Sequence, residues 1–334
     1  MEKLLSICIP TLERCAYLCE AIASIFDAPE IHPYINVFIS NNCSTSDYQP
    51  LYTILEAAPL GLEIVYIAQE KRLSLDEHMH CLLAMADLEY TYMLGDDDYF
   101  LGGQLRCLID YVKANMPDLA IFNGLRVDHL GNSIGQSWEL SARSFDCPVD
   151  ALRALRDKST FGAILVKSKY IKGHYFRALY GSSHAYTCFW FSIFDAHRDG
   201  SSLIIEIPAF SLVALRAGQK TYSALDVYFL DVPYEYSVYQ RYLPEGPARI
   251  VNWSVYLKHI NAIRSLRFLS SLKSSGSDLS RLVSINPSLF KGLGFKIWLA
   301  NLFVDSGAYS FIKYFYAFLG YYVSKMLART LNYL

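Results

Sequence analysis

The chain has 334 residues and 38.0 kDa, enough for one large domain with an appendage or for two unequal domains. With 53% hydrophobic and 19% charged residues and a mean hydropathy of +0.19 it is excluded from the intrinsically disordered class, and 26 Tyr with 19 Phe make it unusually aromatic for a soluble enzyme. The net charge of −2 hides an asymmetry, because residues 249–334 hold 11 Lys and Arg against Asp278 and Asp305 alone, a charge of +9, whereas residues 1–248 carry 19 basic and 30 acidic residues, a charge of −11.

Residues 4–123 alternate between strand-like and helix-like segments, the pattern of a mostly parallel sheet wrapped by crossover helices. An apolar run over 4–9 is stopped by Pro10, and Leu18, Ile22 and Ile25 then fall on one helical face. Residues 35–40 read as a strand, 49–57 as a helix and 62–68 as a third strand. Ser74 and Glu77 stand at capping-box spacing before a helix carrying Met79, Leu82, Leu83 and Ala86, and residues 90–94 form the fourth strand. That strand runs into Gly95, Asp96, Asp97 and Asp98, and a helix with Leu105, Leu108, Ile109 and Val112 follows until Pro117. The stretch 124–225 is more irregular, with strands expected at 161–166 and 203–207 and an aromatic helix at 183–196; from about 250 onward the pattern is helical. Eight cysteines without a C-x-x-C pair read as reduced thiols, and the first apolar run, cut off by Pro10, Glu13 and Arg14, is too short for a signal peptide, so residence in the cytoplasm is expected.

Three adjacent aspartates at the C-terminal end of a strand occupy the edge where open α/β sheets bind ligands. Their mutual repulsion calls for a cation, hydrogen bonds or raised pKa values, and the alternating pair Asp96 and Asp98 suits a hard ion such as Mg²⁺ or Mn²⁺ that keeps positions open for phosphate oxygens. The plainer reading is a solvated acidic turn that caps the next helix.

Three segments, SICIPTLER (6–14), ISNNCSTSD (39–47) and LEYTYMLGDDD (88–98), in this order and at these spacings, resemble the inverting family 2 nucleotide-sugar glycosyltransferases of GT-A fold. The resemblance covers residues 4–220 in outline. It implies a Rossmann-like α/β domain over 1–225, a mostly parallel sheet flanked by helices, divided into a nucleotide-sugar half (1–123) and an acceptor half (124–225); residues 226–334 read, from their own composition, as a helical, membrane-associating extension. It also implies that Pro10, Thr11 and Glu13 hold the nucleoside and that Asp96, Asp97 and Asp98 hold metal and diphosphate, Asp96 touching the ribose or the metal and Asp98 ligating the Mg²⁺ or Mn²⁺ directly. A metal bridging two phosphates neutralises the nucleoside diphosphate as it leaves. The family's second strand usually ends in an Asp that accepts from uracil N3–H, and this chain has Asn41 there. An amide both donates and accepts, which matches cytosine, so a CDP-sugar is favoured with a UDP-sugar left open; alternatively Asn41 caps the turn with Asn42 and Ser44. The run from Leu73 to Asp98 also resembles the abequosyltransferase-like O-antigen branch of the family, whose donors are CDP-dideoxyhexoses.

Inverting transfer needs a general base for the acceptor hydroxyl, in the family usually an Asp or Glu at the start of the acceptor-side helix. The matching stretch GSSHAYTCFWFSIFDAH (181–197) has Ser183 and His184 instead, so His184 is the candidate, with a capping or aromatic-packed histidine as the alternative and Asp195 and Asp199 as fallbacks. SLIIEIPAFSLVALRAGQ (202–219) resembles the family segment that puts an arginine, here Arg216, near the diphosphate; a surface arginine is the alternative. Asp76 and His78 either face the nucleotide pocket or serve packing and capping.

The tail, residues 290–334, mixes aromatic and aliphatic residues with Lys291, Lys296, Lys313, Lys325 and Arg329 and nowhere reaches 18 uncharged apolar residues, which fits interfacial association with an anionic cytoplasmic leaflet better than a spanning helix. A helical subdomain packed on the core or on a second copy in a homo-oligomer is the other reading. The expected protein is thus a metal-dependent inverting glycosyltransferase, peripheral on the cytoplasmic face of the inner membrane. It would move a sugar, in the narrowest reading from CDP-abequose, to a lipid-linked oligosaccharide in O-antigen or related lipopolysaccharide synthesis. A nucleotidyltransferase would need an early glycine-rich phosphate loop, which PTLERCAYL is not, and a non-catalytic membrane scaffold would bind no nucleotide. A nucleic-acid partner is discounted, because the basic stretch RSLRFLSSLK mixes its aromatic with aliphatics and the aspartate-bearing part is acidic.

Overall fold

The computed structural model describes residues 2–128, 130–138, 140–216, 224–274, 276–285 and 294–305. The chain forms two compact units, Met1–Thr221 with Tyr234–Val255 and Tyr222–Pro233 with Tyr256–Leu334.

The first unit is built on an eight-stranded sheet with the order β3-β2-β1-β4-β10-β6-β11-β9. Its first half comprises β1 (Leu5–Thr11), β2 (Ile35–Asn41), β3 (Glu63–Ala68) and β4 (Tyr90–Met93), all parallel. Every residue of β1 and β2 is buried, as expected of parallel strands covered on both faces. Alternation along β1 divides the core in two. Leu5, Ile7 and Ile9 join Leu18, Ile22 and Ile25 of α1 (Cys15–Phe26) and Leu105, Leu108, Ile109 and Val112 of α4 (Gln104–Asn115). Cys8 on the opposite face joins Met79, Leu82 and Leu83 of α3 (Leu75–Leu83). Each fully buried aliphatic side chain contributes about 1.5–3 kcal/mol of transfer free energy, which is what fixes the register of these helices on the sheet.

The chain leaves β1 toward β2 and β3 on one side and returns through β4 on the other, so the crevice outside the C-terminal ends of β1 and β4 is the topological switch point. β1 extends two residues past Ile9, through Pro10. Cys8 O accepts from Leu94 and Thr11 O accepts from Asn42, so even-numbered residues face β4, and Pro10 lies beyond the last β1–β4 pair, Cys8 with Met93. No ladder bond is lost to the missing N–H.

The sheet is mixed rather than mostly parallel. β10 (Ile164–Lys167) runs antiparallel between β4 and β6 (Leu119–Ile121), and β9 (Arg143–Phe145) runs antiparallel to β11 (Ile205–Ile207). The reversal has a local cause: Gly162 N–H binds Met93 O at 2.7 Å, so β10 starts at the edge where β4 ends. A second sheet has the order β5-β12-β7-β8, from β5 (Tyr99–Phe100), β12 (Ser211–Arg216), β7 (Asn123–Val127) and β8 (Ser133–Gln136). The expected helix at 183–196 begins instead as a 3₁₀ turn, Ala185–Cys188, followed by α7 (Phe189–Arg198).

In the second unit Phe229, Ile260, Ile263, Leu269, Leu272 and Ala300 form a small core between the helices Leu266–Ser274 and Gly294–Asp305 and the end of Pro247–Ile263. Among the described residues no helix is long and apolar enough to cross a membrane. The tail residues Lys291, Lys313, Lys325 and Arg329 lie outside the described residues.

Candidate active site

The exits of β1 and β4 bring Thr11 beside the aspartate triplet. Leu12 N–H binds Asp96 Oδ2 at 3.3 Å, and Arg14 reaches across with one guanidinium nitrogen 3.0 Å from Asp96 Oδ1 and 2.8 Å from Asp97 Oδ2. Arg14 is a residue the sequence reading gave no role: it ends the SICIPTLER motif, but its partners lie more than eighty positions away. Burial pushes the Asp96 carboxyl up to about 6, Asp97 adds to the shift and Arg14 opposes it. Asp98 is buried at the bottom of the cluster, its carboxyl pushed well above the ordinary range by burial and by Asp97. Its Oδ1 accepts from Arg216 N–H at 3.2 Å, while Oδ2 has no hydrogen-bond partner among the described residues. Two glycines make room for it. A Cβ at Gly95 would stand 2.7 Å from Asp98 Oδ2, and one at Gly162, whose φ is +76°, would stand 3.0 Å from the same oxygen and 2.6 Å from Leu215.

The loop after β2 is latched to the β1 exit. Thr11 Oγ1 lies 2.9 Å from the buried Tyr48 hydroxyl, and Ser44 Oγ lies 3.2 Å from it. Glu13, at φ +57°, accepts from Thr45 N at 2.7 Å and Ser46 N at 2.9 Å, and these donors bring its carboxyl down to about 2. Asn41 is buried with Oδ1 accepting from Ser44 N at 2.9 Å and Nδ2 donating to the Tyr66 hydroxyl at 3.0 Å. It therefore caps the turn, with one amide hydrogen and one lone pair left over. Asn42 exchanges two bonds with the Leu73 backbone, at 2.8 and 3.0 Å, and so fixes the entry to α3, where Ser74 and Glu77 form the expected capping box.

Asp76, in the first turn of α3, does not project toward the aspartate triplet. Its carboxylate collects four backbone N–H groups, from Gly181 (2.8 Å), Ser182 and Ser183 (3.1 Å each) and Ala185 (3.0 Å), against a burial that pushes its pKa up. This anchors the loop in which Ser183 holds φ +58° and which presents His184, and it explains why the following helix starts late. His184 Nδ1 lies 2.7 Å from Ser182 O, and its ring is 6.0 Å from that of Tyr186. Tyr186 in turn packs on Phe161 at 4.5 Å, the neighbour of Gly162, so His184 and Asp98 border the same edge of the sheet. His78 is a core residue instead: Nε2 lies 2.9 Å from Ser40 Oγ, and burial brings its pKa down to about 4.

Arg216 contributes its backbone N–H to Asp98, whereas its guanidinium pairs with Glu20 and sits over the rings of Tyr17 (4.6 Å) and Tyr99 (5.6 Å). Asp195 bonds Tyr175 and Arg198, and Asp199 closes the C-terminus of α7. Among the described residues no group of three or more His, Cys, Asp or Glu side chains converges on one metal position.

Residues 6–195 match the glycosyl transferase family 2 profile. Among solved structures, S. aureus TarS 1-349 in complex with UDP-GlcNAc matches with a TM-score of 0.60 at 12% identity, over 88% of this chain and 82% of that one. The same TarS segment in complex with UDP matches at 0.56 and 12%, over 91% and 92%, and a longer S. aureus TarS chain at 0.57 and 10%, over 90% and 55%. At these identities the likeness is one of fold. No curated protein matches the chain.

Proposed function

Because the chain belongs to glycosyl transferase family 2, we propose that it moves one sugar from a nucleotide donor to a lipid-linked oligosaccharide, with inversion at the anomeric carbon. The observation that carries this reading is the buried, partly uncommitted Asp98 carboxylate at the switch point, on the same sheet edge as His184. The donor's diphosphate would lie outside β1 and β4, with the nucleoside along Pro10, Thr11 and the Asn41 turn.

The donor set suits a hard divalent ion. Asp98 Oδ2 is an unbonded carboxylate oxygen, and Asp96 is held ready beside Arg14, so these two would hold Mg²⁺ or Mn²⁺ with phosphate oxygens completing the shell. When bound, the ion supplies positive charge to the departing diphosphate. Arg14 adds a fixed cation to the same field. His184, with Nδ1–H donated to Ser182 O, has its lone pair on Nε2 and accepts the proton of the acceptor hydroxyl as that oxygen attacks the anomeric carbon. The bond from that carbon to the diphosphate oxygen breaks, and the electron pair leaves with the nucleotide.

Asn41 keeps one donor and one acceptor, which can pair with N3 and the N4 amine of cytosine and also with N3–H and O4 of uracil, so the preference for a CDP-dideoxyhexose rests on the likeness of 73–98 to the abequosyltransferase-like branch. The +9 charge of residues 249–334 and their aromatic content support work at an anionic membrane surface, where such an acceptor resides. The test is thermal-shift binding of CDP, UDP, GDP and dTDP with and without Mn²⁺ or Mg²⁺, on the wild type, Asp98→Ala and Asn41→Asp. Metal-dependent stabilisation led by CDP, absent in Asp98→Ala and moved toward UDP in Asn41→Asp, is expected. Stabilisation by UDP alone in the wild type overturns the base assignment, and no response to any nucleotide overturns the donor site.

A further inference from the structure

The carboxylate missing from the 181–197 segment arrives from outside the stretch that matches the family. Glu235, in the helix Val232–Tyr242, places Oε2 3.7 Å from His184 Nδ1. Glu235 is only 1% exposed. Its other oxygen, Oε1, forms an ion pair with the buried Arg156 and accepts from Thr187 Oγ1 at 2.8 Å. Tyr239 closes the network, donating to Thr187 O at 2.8 Å beneath the Arg156 guanidinium, which stands 4.5 Å from its ring. A carboxylate sealed in this way cannot reach an acceptor hydroxyl. It can act on one group that does, because His184 has 21% of its side chain exposed and, among the described residues, nothing bonded to Nε2.

We infer that Glu235 is the positioning residue of a His184–Glu235 pair, a fixed negative charge behind the imidazole that orients the ring and stabilises the imidazolium formed when Nε2 takes the acceptor proton. The inference rests on the reading of His184 as the base. The proton stays on His184 until product leaves, while Glu235 remains ion-paired with Arg156. The arrangement separates the tasks that one carboxylate would otherwise combine: His184 exchanges the proton, Ser182 O fixes the tautomer, and Glu235 supplies the charge. The charged groups facing His184 are Asp76 from α3 and Glu235 from the helix Val232–Tyr242, with Arg156 behind the far oxygen of Glu235.

The test compares transfer kinetics against pH for the full chain as wild type, Glu235→Gln, Glu235→Asp and His184→Asn. Glu235→Gln is expected to lower kcat on the order of tenfold or more with the donor KM unchanged. It should also move the acid limb of the kcat profile to lower pH by about one unit, since the neighbouring carboxylate favours the imidazolium. Glu235→Asp, which keeps the charge, should restore part of both effects. A folded Glu235→Gln chain with unchanged kcat and an unmoved acid limb overturns the inference while leaving His184 as the base. Full activity in His184→Asn overturns the base assignment itself. Should Glu235→Gln fail to fold, the combined Glu235→Gln and Arg156→Met chain, which removes both buried charges together, carries the same two readouts, because the lost carboxylate is the charge nearer His184.

Discussion

Arg14 alters what the aspartate triplet needs. Three carboxylates in sequence suggest a cation, and the fold supplies one from its own backbone turn, with two aspartates on a single guanidinium nitrogen. Replacing it with Leu should destabilise the chain by about 2–4 kcal/mol in urea unfolding, since two largely buried carboxylates lose their partner. Because a divalent ion answers the same repulsion, millimolar Mg²⁺ should return part of that loss; equal unfolding midpoints with and without Mg²⁺ would count against Asp96 and Asp98 as ion ligands. His78 carries a separate prediction. Its folded pKa of about 4 lies below the ordinary 6.5, so between those values the unfolded chain takes up a proton that the folded chain refuses. Stability therefore falls as pH drops through that window, by up to about 3 kcal/mol. His78→Gln, which keeps a donor for Ser40, should flatten that dependence, and superimposable pH curves for the two chains would contradict the assignment. At this scale the sequence exposes residue types at motif positions. It named Asp98, Asn41 and His184 but not Arg14, Tyr48 or Glu235, whose roles exist only through partners distant in the chain.

Among the elements, those with a clear period were legible and those without one were not. The faces of α1, α3 and α4 follow from apolar residues spaced three and four apart, and the capping box at Ser74 and Glu77 fixed the start of α3 to the residue. β6 and β9 are three residues each, too short to show alternation, whereas the equally short β11 falls within the strand expected at 203–207; β7, β8 and β12 belong to a second sheet that no local pattern announces. The direction of β10 was equally hidden, since it depends on the long-range bond from Gly162 to Met93. That same glycine gives a test of how elements build the site. Gly162→Ala combines a φ of +76° with a Cβ 2.6 Å from Leu215 and 3.0 Å from Asp98 Oδ2. It should cost about 1–3 kcal/mol and weaken metal-dependent nucleotide binding by displacing the Asp98 carboxylate. A destabilised variant that still binds nucleotide normally would separate the strand's packing role from the site.

Across the whole molecule the charge is uneven, −11 over residues 1–248 and +9 over residues 249–334, and the proposed work at an anionic membrane surface makes that asymmetry testable. Exposed Trp298 in the second unit extends the aromatic character of that region. The full chain should co-sediment with phosphatidylglycerol vesicles, much less with phosphatidylcholine, and be released by about 0.5 M salt, where the Debye length shrinks below about 5 Å. Binding that ignores lipid charge would contradict the electrostatic part of this account. Sugar transfer from a nucleotide donor at the Asp98 site is tested by following nucleoside diphosphate release by ³¹P NMR from CDP- and UDP-sugars, with a lipid-linked oligosaccharide acceptor, in wild type and Asp98→Ala. Acceptor-dependent release of CDP by the wild type is expected, lowered on the order of 10²-fold or more in Asp98→Ala; release that proceeds undiminished in Asp98→Ala, or no release from any nucleotide sugar, would overturn the proposed transfer.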